Sequence, residues 1–219
     1  MVKFEDSFEQ RRAPLSCSER PAKRYLNLVK RCLDLVGAQL GFVAFLPLMI
    51  FVSSAIMLDS PGPIIFRQRR VGLNGKEFVI YKFRTMHVLE DGPSIDQAQR
   101  DDPRVTRVGR ILRRTSIDEL PQLCNILKGD MSFVGPRPHA LAHDMKYKSL
   151  IPKYAMRYYV KPGITGWAQI KGFRGETKST EEMAERVALD HWYINNWSIV
   201  LDLRILLLTC FKLLGPKAY

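Results

Sequence analysis

Leu35–Leu58 reads LVGAQLGFVAFLPLMIFVSSAIML and contains no charged residue. As an α-helix these two dozen residues reach roughly 36 Å, and the hydrocarbon core of a bilayer is about 30 Å thick. The Leu, Ile, Val and Phe side chains favour insertion by roughly 4 to 8 kcal/mol. A buried helix of a soluble protein is the competing reading. Two features oppose a simple crossing. Pro47 stands mid-run, where it removes a helical hydrogen bond and clashes with the preceding turn. The flanks are both basic, with Lys23, Arg24, Lys30 and Arg31 before the run and Arg67, Arg69 and Arg70 after it. Positive charge belongs on the cytoplasmic side, so both ends are expected there. A re-entrant helix over 25–58 that enters one leaflet, breaks at Pro47 and returns satisfies both features.

The remainder bounds the class. The chain has 219 residues, 46% of them hydrophobic, enough for one domain with a core. Lys plus Arg number 34 against 22 Asp plus Glu, a formal charge of +12. Such an excess calls for an anionic partner: nucleic acid, an acidic membrane surface or a phosphorylated substrate. A mean hydropathy of -0.14 excludes a polytopic membrane protein. Cys17, Cys32, Cys124 and Cys210 show no CxxC spacing, which speaks against a zinc site or redox pair. Residues 1–24 are polar, mixed in charge and carry Pro14 and Pro21, the pattern of a flexible arm. No apolar stretch begins near Met1, so an ordinary cleaved signal peptide is not expected. A cytoplasmic catalytic domain is expected over 59–219.

Asp59-Ser60-Pro61-Gly62-Pro63 breaks the chain after the apolar run. Ile64–Gln68 and Phe78–Phe83 are rich in strand formers and are separated by Asn74-Gly75, a hairpin turn pair. Glu90–Asp102 is polar and reads as a loop. Arg107, Arg110 and Arg114 recur at helical spacing, with Val108, Ile111 and Leu112 as the apolar face. Leu120, Leu123, Ile126 and Leu127 keep a helical period up to Gly129, a helix stop. Glu181–Tyr193 reads as a helix. Ile199–Leu214 is apolar but interrupted by Asp202, Arg204 and Lys212; it lies on the membrane or packs on the core. The fold class is α+β and mainly helical, with a small β-hairpin and amphipathic interfacial helices beside the re-entrant segment.

Chemistry concentrates at Ser116-Ile117-Asp118-Glu119-Leu120-Pro121-Gln122. Ser116 with Glu119 forms a capping-box pattern. Asp118 as N-cap instead keeps Pro121 inside the first turn. Either way two adjacent carboxylates stand at a helix start. Arg113 and Arg114 lie just upstream, and Arg137 follows in the proline-stiffened Val134–Pro138 loop. Such a set suits phosphoryl chemistry: one carboxylate attacks phosphorus, its neighbour holds Mg²⁺, and the cations neutralise the transferring group. Lys161–Gln169 is a Gly-rich loop with a Trp that binds a ligand or turns the chain. His139, His143 and His191 show no metal-site spacing and read as structural or surface residues.

Several long motifs in order then point to one family: Lys30-Arg31 with Asp34, the Pro47-broken run, Asp59–Pro63, Tyr81-Lys82-Phe83-Arg84-Thr85-Met86, Asp118–Gln122, Lys128-Gly129-Asp130-Met131-Ser132, Val134–Pro138 and Pro162–Gln169. From about Lys30 to Tyr219 the chain resembles the bacterial monotopic phosphoglycosyl transferases, or bacterial sugar transferases. The resemblance implies transfer of a sugar 1-phosphate from a UDP-sugar to undecaprenyl phosphate with release of UMP, at the cytoplasmic face of the cell membrane. It implies Asp118 as nucleophile and Glu119 as Mg²⁺ ligand. It implies substrate contacts from Lys82, Arg84, Arg113, Arg137, Pro138 and Gln169, and a membrane-helix break at Pro47. Gly172–Thr177, Asn196-Trp197-Ser198 and Leu201-Asp202-Leu203 are similar to the hexose-1-phosphate transferases that start exopolysaccharide assembly, which suggests UDP-galactose or UDP-glucose. Membrane lipid is an expected partner, nucleic acid is not, and a homo-oligomer is compatible with the sequence. The rivals are a nucleic-acid-binding protein, against which no reader motif appears, and a non-catalytic basic membrane-anchored scaffold in which Asp118 merely caps a helix.

Overall fold

The structure, a computed structural model, describes residues 21–87, 102–175, 177 and 179–214. The expected arm, apart from its last four residues, lies outside the described residues. So do Cys17, the expected 90–102 loop apart from Asp102, and Glu176. The described chain is mainly helical with two small sheets.

Helix α1 spans Pro21–Asp59 and is continuous across Pro47, so the expected break of the helix at that residue is not observed: the proline removes one hydrogen bond and the turns on either side stay helical. It starts within the expected arm, because a proline in the first turn costs no hydrogen bond. Its Tyr25–Asp59 portion is long and apolar enough to cross a membrane. Ser53 and Ser54 donate to the carbonyls of Met49 and Ile50 one turn back, so their hydroxyls stay satisfied within the helix. Two parts of α1 dock on the rest of the protein. In the first, Ala38 is fully buried against Ile80, Leu123, Ile126 and Met131. Gly37 lies so close to the Phe133 ring that a Cβ there would meet Cε2 at 2.9 Å. In the second, Val52 and Ile56 pack with Phe83 and Leu112. Between them Val43, Phe45, Leu46, Ile50 and Phe51 are exposed.

The basic flank before the apolar run is engaged with protein. Lys30 Nζ pairs with Asp202 and donates to the Val134 carbonyl at 3.1 Å. Arg31 donates to the carbonyls of Ile126 and Leu127 at 2.6 and 3.0 Å. Asp34, buried, accepts from Ser132 Oγ and the Phe133 N–H, each at 3.1 Å.

Strands β1 (Ile65–Val71) and β2 (Glu77–Phe83) form the expected antiparallel hairpin, in register from Ile65↔Phe83 to Val71↔Glu77. Asn74 and Gly75 take φ of 56° and 75°, the left-handed pair that a twisted hairpin needs. Helix α2 (Arg107–Thr115) is N-capped by Thr106, whose hydroxyl accepts from Gly109 N–H at 2.9 Å. Leu112 is buried as expected, but Ile111 is 63% exposed beside Arg107, Arg110 and Arg114. One residue before Leu112, it is turned about 100° away from the buried face.

Helix α3 (Leu123–Lys128) ends at Gly129, φ 94°, as expected. Strand β3 (Ser132–Val134) pairs in parallel with β4 (Gly163–Thr165), a contact between distant segments that local pattern does not reveal. The Gly-rich loop serves this pairing. A Cβ on Gly135, Gly163 or Gly166 would come within 2.1–2.3 Å of backbone atoms across the junction. Helices α4 (Leu141–Leu150), α5 (Trp167–Ile170), α6 (Thr180–Asn196) and α7 (Ile199–Leu214) complete the body. In α7, Leu201 and Ile205 join Val134, Ile170 and Tyr193 in the core, while Val200, Leu203, Leu207 and Phe211 are exposed. Asp202 is buried, accepting from Tyr193 Oη at 2.7 Å and Trp197 Nε1 at 3.0 Å as well as pairing with Lys30.

Candidate active site

The two adjacent carboxylates lie on a short 3-10 turn, Ile117–Gln122, directly before α3. Neither expected cap forms. Ser116 takes a left-handed conformation (φ 59°) that closes α2, and its side chain caps nothing. Asp118 sits inside the turn, not at its boundary, so it is available for other chemistry. Pro121 is accommodated because the 3-10 turn is short. Ile117 and Leu120 pack against the second docked part of α1 through the Val52, Ile56, Phe83 and Leu112 cluster. The carboxylate pair is thereby fastened to the apolar helix. Asn125, fully buried, joins α3 to β2: its Oδ1 accepts from Tyr81 N–H at 3.1 Å and its Nδ2 donates to the Val79 carbonyl at 2.7 Å. This sets Lys82 opposite the carboxylates.

Lys82 Nζ donates to Glu119 Oε1 at 2.8 Å and lies 3.8 Å from Asp118 Oδ2. Arg137 Nη2 donates to Glu119 Oε1 at 2.5 Å, with Nη1 at 3.5 Å from Oε2. The neighbours are therefore unequal. Burial alone would raise the Glu119 pKa, but Arg137 and Lys82 hold it well below the usual carboxylate range. Asp118 has only the longer approach to Lys82. Burial, with help from Glu119, raises its pKa to about 6 against the opposing pull of Lys82, Arg137 and Arg113. Near neutral pH Glu119 is a firmly held anion and Asp118 a basic one.

Arg137 is itself held from behind. Buried Arg157 donates through Nη2 to the Arg137 carbonyl at 2.6 Å and pairs through Nε with Asp190 at 2.8 Å. His139 Nδ1 lies 2.6 Å from Tyr154 Oη, which donates to Asp144 at 3.1 Å; Tyr158 donates to the same carboxylate. Burial, then Arg157, push the His139 pKa well below its ordinary value, so this imidazole stays neutral. The structural reading of His139 fits this network.

The other expected substrate residues divide. Arg113 adds to the positive potential at Asp118. Arg84 does not join the cluster. It is 2% exposed and its guanidinium donates to the carbonyls of Ile56, Ser60 and Pro61. It neutralises the C-terminal end of α1 and occupies the space a Cβ on Gly62 would need. In this structure Arg84 braces the end of α1, where its donors are directed to backbone carbonyls. Pro138 is buried and its carbonyl accepts from Arg70 at 2.9 Å. Gln169, also buried, donates to the Ile164 carbonyl at 3.1 Å and so braces β4. Two cations were not singled out from sequence. Arg174 donates to Ser116 Oγ, two residues before Asp118. Arg186, on α6, is buried and close enough to Arg137 to be repelled by it. Arg174 lies in a motif read only for sugar preference. Arg186 carries no spacing signal at all, because its proximity to Arg137 arises from packing.

Among the described residues no group of three or more His, Cys, Asp and Glu side chains converges as a metal cage. Mg²⁺ does not require one: one or two carboxylates with waters and substrate phosphates suffice. Glu119, ionised and beside Asp118, fits that donor set.

The chain matches the bacterial sugar transferase family over residues 25–216. It is 57% identical over 189 residues to the UDP-glucose:undecaprenyl-phosphate glucose-1-phosphate transferase of Caulobacter vibrioides, covering 86% of this chain and 71% of that protein. It is 45% identical over 183 residues to exopolysaccharide production protein PSS of Rhizobium leguminosarum bv. phaseoli, covering 82% and 92%. It is 41% identical over 181 residues to a UDP-N-acetylgalactosamine-undecaprenyl-phosphate N-acetylgalactosaminephosphotransferase of Aeromonas hydrophila, covering 83% and 42%. The chain thus spans less than half the length of several relatives. With the carboxylate pair, its cations and the apolar helix in place, the match over nearly the whole described chain establishes that this protein is an enzyme of the bacterial sugar transferase family.

Proposed function

We propose that the protein transfers a hexose 1-phosphate from a UDP-sugar to undecaprenyl phosphate, releasing UMP, as the first membrane step of exopolysaccharide synthesis. UDP-glucose is the first choice of donor, from the names of several relatives, and UDP-galactose the second. The carrying observation is the inequality of the carboxylates: Glu119 is held by Lys82 and Arg137, and Asp118 is left without a close partner.

In this reading a carboxylate oxygen of Asp118 attacks the sugar-bearing phosphorus of the donor. The bond from that phosphorus to the bridging oxygen breaks, and UMP leaves with the electron pair. The aspartyl phosphosugar is then attacked at phosphorus by an oxygen of undecaprenyl phosphate, which regenerates the Asp118 carboxylate. Two displacements at one site predict ping-pong kinetics. Lys82, Arg113 and Arg137 hold the diphosphate and offset charge on the transferring group. Mg²⁺, when bound at Glu119, supplies further neutralisation of the diphosphate.

We also read α1 as re-entrant from the cytoplasmic face, which makes the protein monotopic. Its two docked points, Ala38 and Val52, are separated by about 21 Å of helix, less than the ~30 Å hydrocarbon core. Both belong to one body, so a complete crossing would draw that body into the bilayer. The exposed residues between them, with the exposed face of α7, are the surfaces offered to lipid. The test is UMP release in detergent with undecaprenyl phosphate across a panel of UDP-sugars. UDP-glucose should be the best donor, and Asp118→Asn should remove the activity. A fully active Asp118→Asn variant would overturn the mechanism. No UMP from any UDP-sugar would favour a non-catalytic scaffold.

A further inference from the structure

Arg186 is the one buried guanidinium near the site whose charge the described protein leaves nearly unanswered. It is 5% exposed, and among the described residues its only hydrogen bond is from Nη2 to the Gly175 carbonyl at 2.6 Å. Its Nε is buried without a partner. Arg84 also leaves Nε unpaired, but it donates to three carbonyls at a helix C-terminus. Arg157 has the Asp190 carboxylate. Asp190, one turn along α6, is committed to Arg157 and makes no hydrogen bond to Arg186. Burial and then Arg137 lower its pKa to about 10, with Asp190 opposing them only in part and Arg157 adding to the fall. A buried cation beside other cations is costly unless an anion joins it.

The location says which anion. Arg186 holds the Gly175 carbonyl, and the preceding Arg174 reaches Ser116 Oγ, two residues from Asp118, which ties Arg186 to the carboxylate turn. Around Arg186, helix α6 packs on α4, α5 and the Tyr154–Tyr159 turn; it meets α7 at its C-terminal end, where Tyr193 bonds Asp202. A water-soluble donor is the substrate that would approach Arg186.

We propose that Arg186, with Arg137 and the Arg174–Gly175 segment, binds the phosphate that stays with the uridine, and so receives the charge of the departing UMP. This rests on the donor reading above and adds a residue to it. A cation in this position also stabilises the leaving group as the bond to the attacked phosphorus breaks.

The experiment is calorimetric titration of the full chain in detergent with UMP and with uridine, for the wild type, Arg186→Gln and Arg186→Lys. The wild type should prefer UMP. Arg186→Gln should reduce the UMP-to-uridine affinity ratio about tenfold or more, and Arg186→Lys should restore part of it. A merely structural role would weaken both ligands together. An unchanged ratio in Arg186→Gln overturns the proposal. If that variant does not fold, Arg186→Lys decides it, since loss of the bidentate fork alone should lower the ratio and a wild-type ratio overturns the role. A second arm identifies the phosphate. The burst of UMP from UDP-glucose without acceptor should slow in the variant. An unchanged burst with slower turnover of undecaprenyl phosphate would assign Arg186 to the lipid phosphate and overturn the proposal. Failure of the wild type to bind UMP would overturn the donor reading itself, a result distinct from an altered or unaltered ratio.

Discussion

Two buried clusters of charge meet at Arg137. Behind it, Arg157 and Asp190 form a pair at 2.8 Å, and Asp144 collects the hydroxyls of Tyr154 and Tyr158. In front of it, Lys82 and Arg137 share Glu119, and Asp118 has nothing closer than Lys82 at 3.8 Å. The rear ion pair and the tyrosine–carboxylate bonds match donors with acceptors, with His139 Nε2 the exception beside them. The front cluster turns both cations on one carboxylate and leaves the other underused. The carboxylates are buried in both, so carboxylate burial does not distinguish structure from chemistry. The completeness of pairing does. The rear cluster holds the backbone of Arg137 in place; the front one leaves Asp118 without a close partner, as the proposed mechanism requires of its attacking group.

That contrast can be broken by mutation. The largest effect is expected from Asp118→Asn, which should lower UMP release by at least ~10³-fold while leaving the melting temperature at or above that of the wild type. The sign follows from linkage: the folded pKa is raised to about 6 from 3.8, so the ionised side chain is a penalty at neutral pH. That penalty fades as pH falls through 6 towards 4. A large fall in melting temperature would place Asp118 in the structural class instead.

The reverse pattern is expected behind Arg137. Arg157→Met leaves Asp190 buried and unpaired, which costs about 3–5 kcal/mol. For a chain of this size each kcal/mol lowers Tm by roughly 2–4 °C. Thermal unfolding reads this directly, and an unchanged Tm would show that the pair contributes nothing. Arg84→Met tests the arginine at the end of α1. It should destabilise by about 1–3 kcal/mol through the unanswered carbonyls at the end of α1, with the KM for the UDP-sugar unchanged in the folded enzyme. A selective rise in KM would return Arg84 to the substrate site.

The smallest effect is a shift in pH dependence. If ionised Asp118 is the nucleophile, the UMP burst should fall on the acid side of about pH 6. Lys82 lowers the Asp118 pKa, so Lys82→Met should move this limb to higher pH while also slowing the burst. A limb that stays in place would mean that Lys82 does not act on Asp118.

Local sequence was sufficient where local physics decides. The apolar run, the Asn74-Gly75 hairpin, the stop at Gly129 and the helix over Ile199–Leu214 follow from hydrophobic pattern and turn chemistry, and all are present. The adjacent carboxylates and Arg137 were legible as a group expected to converge, and Arg137 does reach Glu119. Roles that depend on what lies across the fold were not legible. Arg84 and Arg137 both stand in motif-rich stretches, yet one caps a helix and the other reaches Glu119. Asn125 and Arg186 have no local signature, since their partners on β2 and around Arg137 come from other segments. Ser116 and Asp118 satisfy capping patterns that the left-handed turn and the 3-10 geometry override. The sequence by itself determined which chemistry and which apolar surface this protein possesses. Tertiary structure alone decided which buried charges are answered and which are left for a substrate, because a charge is neutralised by distance in space and not by spacing along the chain.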